Sequence, residues 1–172
     1  MDLLELIKFK NEYSTLIEKW ESTNELSKYL SYIKPKYLRK CYLSHIQPEY
    51  LKESDLEEEK NTLFFMIKFN KKIIGAAWLE SITQNYAIIG LYISLTSYRG
   101  KGIGSRVIEV LIGKAFKEIK LKKLYLIVRE RNVNAIKCFK KCSFEITKKY
   151  PESYFLDSSY QCMYQMTLIN RT

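Results

Sequence analysis

A glycine-rich turn between a predicted strand and a predicted helix constrains the fold of this chain most. The turn runs from Tyr98 to Ser105 and reads Tyr-Arg-Gly-Lys-Gly-Ile-Gly-Ser, with glycine at alternate positions. Glycine permits left-handed backbone angles and lets a ligand approach the main chain closely. The helix that follows exposes unpaired N–H groups at its positive end, which suit an anion. Arg99 and Lys101 add positive charge at the same place, so the segment predicts a phosphate cradle.

The spacing of these glycines excludes two common phosphate-binding loops. The dinucleotide fingerprint requires G-x-G-x-x-G, whereas the glycines here follow G-x-G-x-G. A Walker loop ends in Gly-Lys followed by Ser or Thr, whereas Gly104 is followed directly by Ser105. A glycine-rich turn that binds no ligand is the alternative to a phosphate cradle.

Hydrophobic patterning around the turn predicts a mixed α/β domain. The first two strands are joined by Asn70, Lys71 and Lys72, which predicts a β-hairpin. A continuous apolar run at 124–128 is typical of a fully buried strand. The expected strands are 63–69, 73–79, 86–95, 124–128 and 160–168, and the expected helices are 12–33 with a break at 22–24, 105–119, and one with Ala135, Cys138, Phe139 and Cys142 along a single stripe.

Length and composition favour one compact domain. The chain has 172 residues, of which 47% are hydrophobic and 28% are charged, so it can bury a core. No apolar run approaches the roughly 20 residues that span a bilayer. The N-terminal residues lack the apolar region and the cleavage site of a signal peptide. We therefore expect a soluble, cytoplasmic protein without a membrane partner.

The net charge and the cysteines narrow the class of protein only slightly. A net charge of +10 suits several anionic partners, but a basic nucleic-acid-binding domain would leave the glycine turn unexplained, so we do not expect a nucleic acid partner. The cysteines are Cys41, Cys138, Cys142 and Cys162, and the only histidine, His45, lies far from the pair that shares a helix face. We expect reduced thiols and no metal site.

Two motifs in order resemble the GNAT superfamily of N-acetyltransferases. Arg99-x-x-Gly102-x-Gly104 matches the family's Arg/Gln-x-x-Gly-x-Gly/Ala pyrophosphate motif. The letters N-V-N-A-I-K-C-F-K-K-C-S-F from Asn132 to Phe144 are similar to the family segment N-x-x-A-I-x-x-Y-x-K-x-G-F. The resemblance runs from about residue 63 to the C-terminus. It is nearest to the branch that contains the spermidine and ribosomal-protein N-terminal acetyltransferases.

The resemblance implies a fold and an activity. The fold would be a mixed, mostly antiparallel sheet flanked by helices, with a splayed parallel strand pair that holds the cofactor. Residues 1–172 would form one domain, in which 1–60 is a helical region on the acceptor side and 61–172 is the acetyl-CoA-binding core. Acetyl-CoA would be the co-substrate, and a primary amine of a small molecule, a polyamine or a peptide N-terminus would attack it in a ternary complex. A non-catalytic acyl-CoA-binding module of the same fold is the alternative. Dimers are common in the family, but the sequence identifies no interface.

The resemblance also assigns site residues. Backbone amides from Arg99 to Ser105 would hold the pyrophosphate, the pantetheine arm would lie in the strand gap, and the N–H of Ser94 would stabilise the oxyanion. The implied cofactor contacts are Ile93, Ser94, Arg99, Gly100, Lys101, Gly102, Ile103, Gly104, Ser105, Asn132 and Phe139.

The proton transfers are less well defined by the sequence. Phe139 stands where many members have a tyrosine that protonates the CoA thiolate, so the proton must come from water or from another group, such as Tyr92, Tyr98 or Tyr154. Glu80 follows an apolar strand and is the candidate base, or the residue that orients a water acting as base. A solvated glutamate at a strand end is the alternative for Glu80.

Overall fold

A seven-stranded sheet forms the centre of the molecule. The computed structural model describes residues 2–23, 26, 61–154 and 160–171, without the side chains of 151–154, 160 and 161. The strands are β1 Leu4–Lys8, β2 Leu63–Phe69, β3 Lys72–Glu80, β4 Tyr86–Ile93, β5 Lys123–Arg129, β6 Glu145–Tyr154 and β7 Tyr160–Ile169. The α-helices within these described residues are α1 Ser14–Glu21, α2 Ile103–Gly113, which continues as a π-helical turn over Lys114–Glu118, and α3 Val133–Lys141.

The sheet is mixed, as the sequence predicts. Its strand order is β1-β2-β3-β4-β5-β7-β6. All neighbouring strands are antiparallel except β4 and β5, which are parallel. The helix α2 connects these two parallel strands, which is the usual crossover for a parallel pair. The predicted α/β class and the mostly antiparallel sheet are therefore confirmed.

Two strands were not expected from the sequence. The strand β1 lies in the N-terminal region that we expected to be helical, and it pairs with β2 along the edge of the sheet. Its five residues are too few for periodicity to separate a strand from a helix. The strand β6 forms the other edge and contains two lysines and Pro151, residues that suit an edge strand and weaken the sequence signal. Residues 24–25 and 27–60, with Cys41 and His45, lie outside the described residues.

The two faces of the sheet are covered by different helices. Successive residues of β3 alternate between two apolar clusters, since Ala77 and Leu79 belong to one and Ala76 and Trp78 to the other. One cluster contains α2 and α3 residues, and we call this side the α2/α3 face. The other cluster contains Trp20 of α1, and we call this side the α1 face. Within the described part of the chain, no helix is both long and apolar enough to cross a membrane.

The parallel strands β4 and β5 part midway along their length. Their register pairs Tyr86 with Lys123 and ends at Ile88 opposite Tyr125. Both strands continue past this point, β4 to Ile93 and β5 to Arg129. A wedge-shaped gap therefore opens between them toward their C-terminal ends, which confirms the predicted splayed pair.

Candidate active site

The main chain of β4 presents hydrogen-bonding groups to this gap. The N–H of Ser94 donates to the carbonyl oxygen of Ile74 at 2.8 Å, so the main-chain groups of Ser94 point toward β3. In a strand, these groups point alternately to the two neighbouring strands. The N–H groups of Leu91 and Ile93 therefore point toward β5. Because β5 has parted from β4 at this level, they face the gap.

A second hydrogen bond fixes the same alternation independently. The N–H of Lys123, at the start of β5, donates to the carbonyl oxygen of Asn85 at 3.0 Å. Odd-numbered residues of β4 therefore present their main-chain groups to β5. The structure corrects one expectation here, because the N–H of Ser94 is bonded within the sheet and does not face the gap. The β4 donors that do face the gap are the N–H groups of Leu91 and Ile93.

The side chain of Arg99 caps the end of β4. Its Nε donates to the carbonyl oxygen of Ile93 at 2.7 Å, and its Nη2 donates to that of Ser94 at 3.1 Å. Two donors of a rigid guanidinium thus hold the turn against the strand that precedes it. The predicted role of Arg99 in the phosphate motif therefore includes a structural part, since it fixes the turn on which the anion would sit.

The glycine turn adopts the left-handed backbone that the sequence predicts. Gly100 has φ +74° and Gly102, the N-cap of α2, has φ +76°. The first helical hydrogen bond runs from the N–H of Arg106 to the carbonyl oxygen of Gly102 at 3.2 Å. The N–H groups of Ile103, Gly104 and Ser105 precede that bond and form the positive end of the helix. Lys101 is exposed beside them. This end of α2 lies just after the C-terminal end of β4, where the gap is widest.

Gly104 and Ser105 also set the distance between α2 and α3. A Cβ atom on Gly104 would lie 3.2 Å from Sγ of Cys138, so glycine allows close helix packing here. The hydroxyl of Ser105 lies 3.3 Å from the same sulfur. Burial raises the pKa of Cys142 to about 11, which keeps this thiol protonated and unreactive at neutral pH. The described cysteines Cys138, Cys142 and Cys162 are free thiols, as expected.

Asn132 and the turn before it are fixed by the structure around β5. The Oδ1 of Asn132 accepts a hydrogen bond from the N–H of Ala135 at 3.2 Å and so caps α3. Next to it, Glu130 accepts a hydrogen bond from the hydroxyl of Tyr164 and another from Lys149 at 3.0 Å. These contacts lower the pKa of Glu130, mainly through the Tyr164 hydroxyl. The turn is thereby held to the β6–β7 hairpin, and the cofactor contact of Asn132 stays a prediction.

The side chain of Phe139 lies in the core. It is 6% exposed and packs edge-to-face on Phe144, with ring centroids 5.3 Å apart. It has no proton to donate, and its predicted contact with the cofactor stays a prediction. Of the tyrosines considered as replacements, Tyr92 is buried on the α1 face with its hydroxyl 3.5 Å from Glu21, and burial raises its pKa further from neutral. Tyr98 packs on Phe69, and the side chain of Tyr154 lies outside the described residues.

Glu80 lies on β3, one strand away from the apex of the gap. Glu80 ends β3 and follows the alternation that places Trp78 on the α1 face. Its partner on β4 is Ile88, which is also the last β4 residue to pair with β5. Glu80 is 5% exposed, so the alternative of a solvated glutamate is wrong. A buried carboxylate next to the point where the strands part suits a base.

We predict that alanine substitutions at Gly100 and Gly113 change stability in opposite directions. Neither added Cβ atom meets any atom within 4 Å, so only the backbone conformation differs. Gly100→Ala should destabilise the protein by about 1–2 kcal/mol, because alanine resists a left-handed backbone. Gly113 has helical angles, φ −57° and ψ −45°, so Gly113→Ala should stabilise by about 0.5–1 kcal/mol. Urea unfolding measures both, and equal shifts of the same sign would show that the turn is not left-handed in solution.

Comparison with known proteins places this arrangement in context. Residues 27–144 match the model of the acetyltransferase (GNAT) family. Spermidine N(1)-acetyltransferase of Escherichia coli (strain K12) is 30% identical over 71 residues, which cover 41% of this chain and 38% of that protein. The match therefore spans well under half of the length of this curated relative.

Solved structures share the fold over nearly the whole chain. Spermidine N-acetyltransferase from Vibrio cholerae, solved in complex with CoA and spermine, superposes with a TM-score of 0.76 at 21% identity, covering 96% of this chain and 95% of that one. A domain from Methanocaldococcus jannaschii DSM 2661 gives 0.68 at 20% identity, covering 98% and 100%. The family model spans most of the chain and both glycine-turn and α3 motifs. The chain belongs to the acetyltransferase (GNAT) family.

Proposed function

We propose that this protein is an N-acetyltransferase that moves the acetyl group of acetyl-CoA to a primary amine. The observation that carries the proposal is the gap between β4 and β5, with the N–H groups of Leu91 and Ile93 on its edge and the positive end of α2 at its mouth. Together these features offer main-chain partners for an extended arm and a cradle for a phosphate.

The parts of acetyl-CoA fit this arrangement in order. The pyrophosphate is an anion, and the amides from Gly100 to Ser105 suit it. Those of Ile103 to Ser105 lie at the positive N-terminal end of α2, and those before them belong to the left-handed turn. The pantetheine arm contains amide groups, which would pair with the open edge of β4 as an added strand does. The thioester would then lie deep in the gap, toward Ile88 and Tyr125, where the two strands meet.

The chemistry follows from the groups around that point. The amine nitrogen attacks the thioester carbon, a C–N bond forms, and the carbonyl oxygen becomes an oxyanion that the N–H of Leu91 would stabilise. The C–S bond then breaks, CoA leaves as a thiolate, and the nitrogen gives up its extra proton to water as the amide forms. A thiol has an ordinary pKa near 8.5, so the thiolate requires a proton less than an alkoxide would, and water would supply it because Phe139 has none to give.

The amine must lose a proton before it attacks, and we assign this step to Glu80. Glu80 is buried on the α1 face, one strand from the apex of the gap, where its carboxylate would take the proton or orient a water that does. Glu21 is a second buried carboxylate on this face. An acidic side chain on this face would favour a cationic amine despite the net charge of +10.

The proposed acceptor is a primary amine, and three classes of molecule carry one. A polyamine, another small-molecule amine and a peptide N-terminus all carry the required primary amine, and the relative from Escherichia coli is a spermidine acetyltransferase.

Phe139 favours a second candidate function, an acyl-CoA-binding module of the same fold that catalyses no acetyl transfer. Binding of acetyl-CoA without thiol release from any amine would support this second function.

We predict that acetyl-CoA and CoA raise the melting temperature and that NAD does not. A ligand that binds only the native state adds RT ln(1 + [L]/Kd), or about 2.7 kcal/mol at 100 times Kd, which is several degrees for a domain of this size. Thermal unfolding measures the shift, and release of free thiol then screens a panel of primary amines. No shift at millimolar acetyl-CoA would contradict the proposal.

We predict that Glu80→Gln lowers kcat/KM for the acceptor by about 10²- to 10⁴-fold, the usual contribution of a general base. The acidic limb of the pH profile should change as well, since the variant no longer has the group that takes the proton. Glu145→Gln removes the same charge from an exposed strand residue and should leave both quantities unchanged. A Glu80→Gln enzyme with unchanged kcat/KM and pH profile would assign the base to another group.

A further inference from the structure

The indole of Trp78 takes the place of a missing side chain on β4. Trp78 and Gly90 are cross-strand partners on β3 and β4. A Cβ atom added to Gly90 would collide with the five- and six-membered rings of Trp78. Trp78 is 3% exposed, and its ring lies across the main chain of Gly90 on the α1 face. Glycine at this position is therefore required by the tryptophan opposite.

The segment of β4 that contains Gly90 is less well stabilised than the start of the strand. Beyond Ile88 it pairs with β3 on one side only, because β5 has moved away. Glycine in a strand loses more backbone entropy than other residues and has no side chain to pack. An aromatic side chain that covers a glycine in the neighbouring strand compensates for both deficits. Gly90 directly precedes Leu91, whose N–H faces the gap.

Other rings and α1 hold Trp78 in place. Its indole stacks on Phe64, with centroids 5.7 Å apart and planes at 4°, and meets Tyr92 edge-on at 6.0 Å. Tyr92 in turn packs against Trp20 of α1 at 6.2 Å. We call these four residues, Trp20, Phe64, Trp78 and Tyr92, the aromatic buttress. It connects α1 to the open segment of β4.

We propose that Trp78 is a positioning residue that, through Gly90, holds the N–H of Leu91 where the oxyanion develops. This inference rests on the proposed acetyl transfer. The N–H of Leu91 stabilises the oxyanion only if its position is fixed before the reaction. A displacement of about 1 Å can lower the rate roughly 100-fold. The aromatic buttress supplies that rigidity from the α1 face, away from the edge of β4 that faces the gap.

The kinetic test compares variants of Trp78 and Gly90. Trp78→Ala should lower kcat by roughly 10- to 100-fold and raise the Kd of acetyl-CoA by a smaller factor, because the phosphate cradle is distant and only the pairing of the pantetheine arm with β4 is loosened. Trp78→Phe keeps a ring over Gly90 and should recover most of kcat. Gly90→Ala alone should also lower kcat, because its Cβ displaces the indole. In the double variant Trp78→Ala with Gly90→Ala, the alanine at position 90 has space and makes the strand less flexible. Its kcat should therefore be higher than that of Trp78→Ala alone.

A matched control separates positioning from general destabilisation. Met66 is fully buried in the same apolar cluster, but it lies on β2 opposite Ala76 and not against Gly90. Met66→Ala should lower the melting temperature about as much as Trp78→Ala and leave kcat within a few-fold of the wild type. If the two variants lose kcat equally, or if Trp78→Ala keeps full kcat, the inference is overturned.

Hydrogen exchange gives a readout that does not require turnover. The N–H groups of Gly90 and Tyr92 point toward β3, as that of Ser94 does. Exchange of the 88–93 segment should become at least tenfold faster in Trp78→Ala and stay unchanged in Met66→Ala. Were the wild type to bind acetyl-CoA without acetylating any amine, the proposed function would fail while the exchange result still decided whether Trp78 holds this segment. Unchanged exchange in Trp78→Ala would overturn the positioning role.

Discussion

The site depends on the early end of the hydrogen-bonded pairing between β4 and β5. The strands β4 and β5 pair only as far as Ile88 and Tyr125 and then separate. Unpaired main-chain groups away from water are costly, so such a gap persists only if a ligand or solvent satisfies them and if the rest of the fold holds it open. Arg99 caps the carbonyl groups at the end of β4, and Trp78 covers Gly90 from the α1 face. These contacts stabilise a strand that has lost one neighbour.

The two faces of the sheet divide the proposed reaction between them. The positive end of α2 and the exposed Lys101 lie at the mouth of the gap and suit the phosphates of the co-substrate. The buried carboxylates Glu21 and Glu80 lie on the α1 face, where they would favour an ammonium group. The anionic donor and the cationic acceptor would thus approach the thioester from different parts of the sheet.

Features of the site that depend on local sequence were predicted better than features that depend on which strands pair and in which register. The left-handed glycines at 100 and 102 and the bounds of β2 agree with the sequence, because turn chemistry and apolar runs are local signals. The N–H of Ser94 was expected to face the gap but points toward β3, because a shift of one residue reverses the direction in which a strand's main-chain groups point. The burial of Glu80 depends on neighbouring strands, and no local pattern shows it. Gly90 inside an apolar run was a visible signal of a close approach, but only the strand register shows that Trp78 makes it.

Amide resonances of isotope-labelled protein, followed while acetyl-CoA is added, test the central claim most directly. If the open edge of β4 and the glycine turn hold the co-substrate, the amides of Leu91 and Ile93 and those of 100–105 shift together and become protected from exchange. The amide of Ser94, already bonded to Ile74, changes little. Perturbation centred on amides that point toward β3, or none along β4 at saturating acetyl-CoA, would contradict the placement of the co-substrate in this gap.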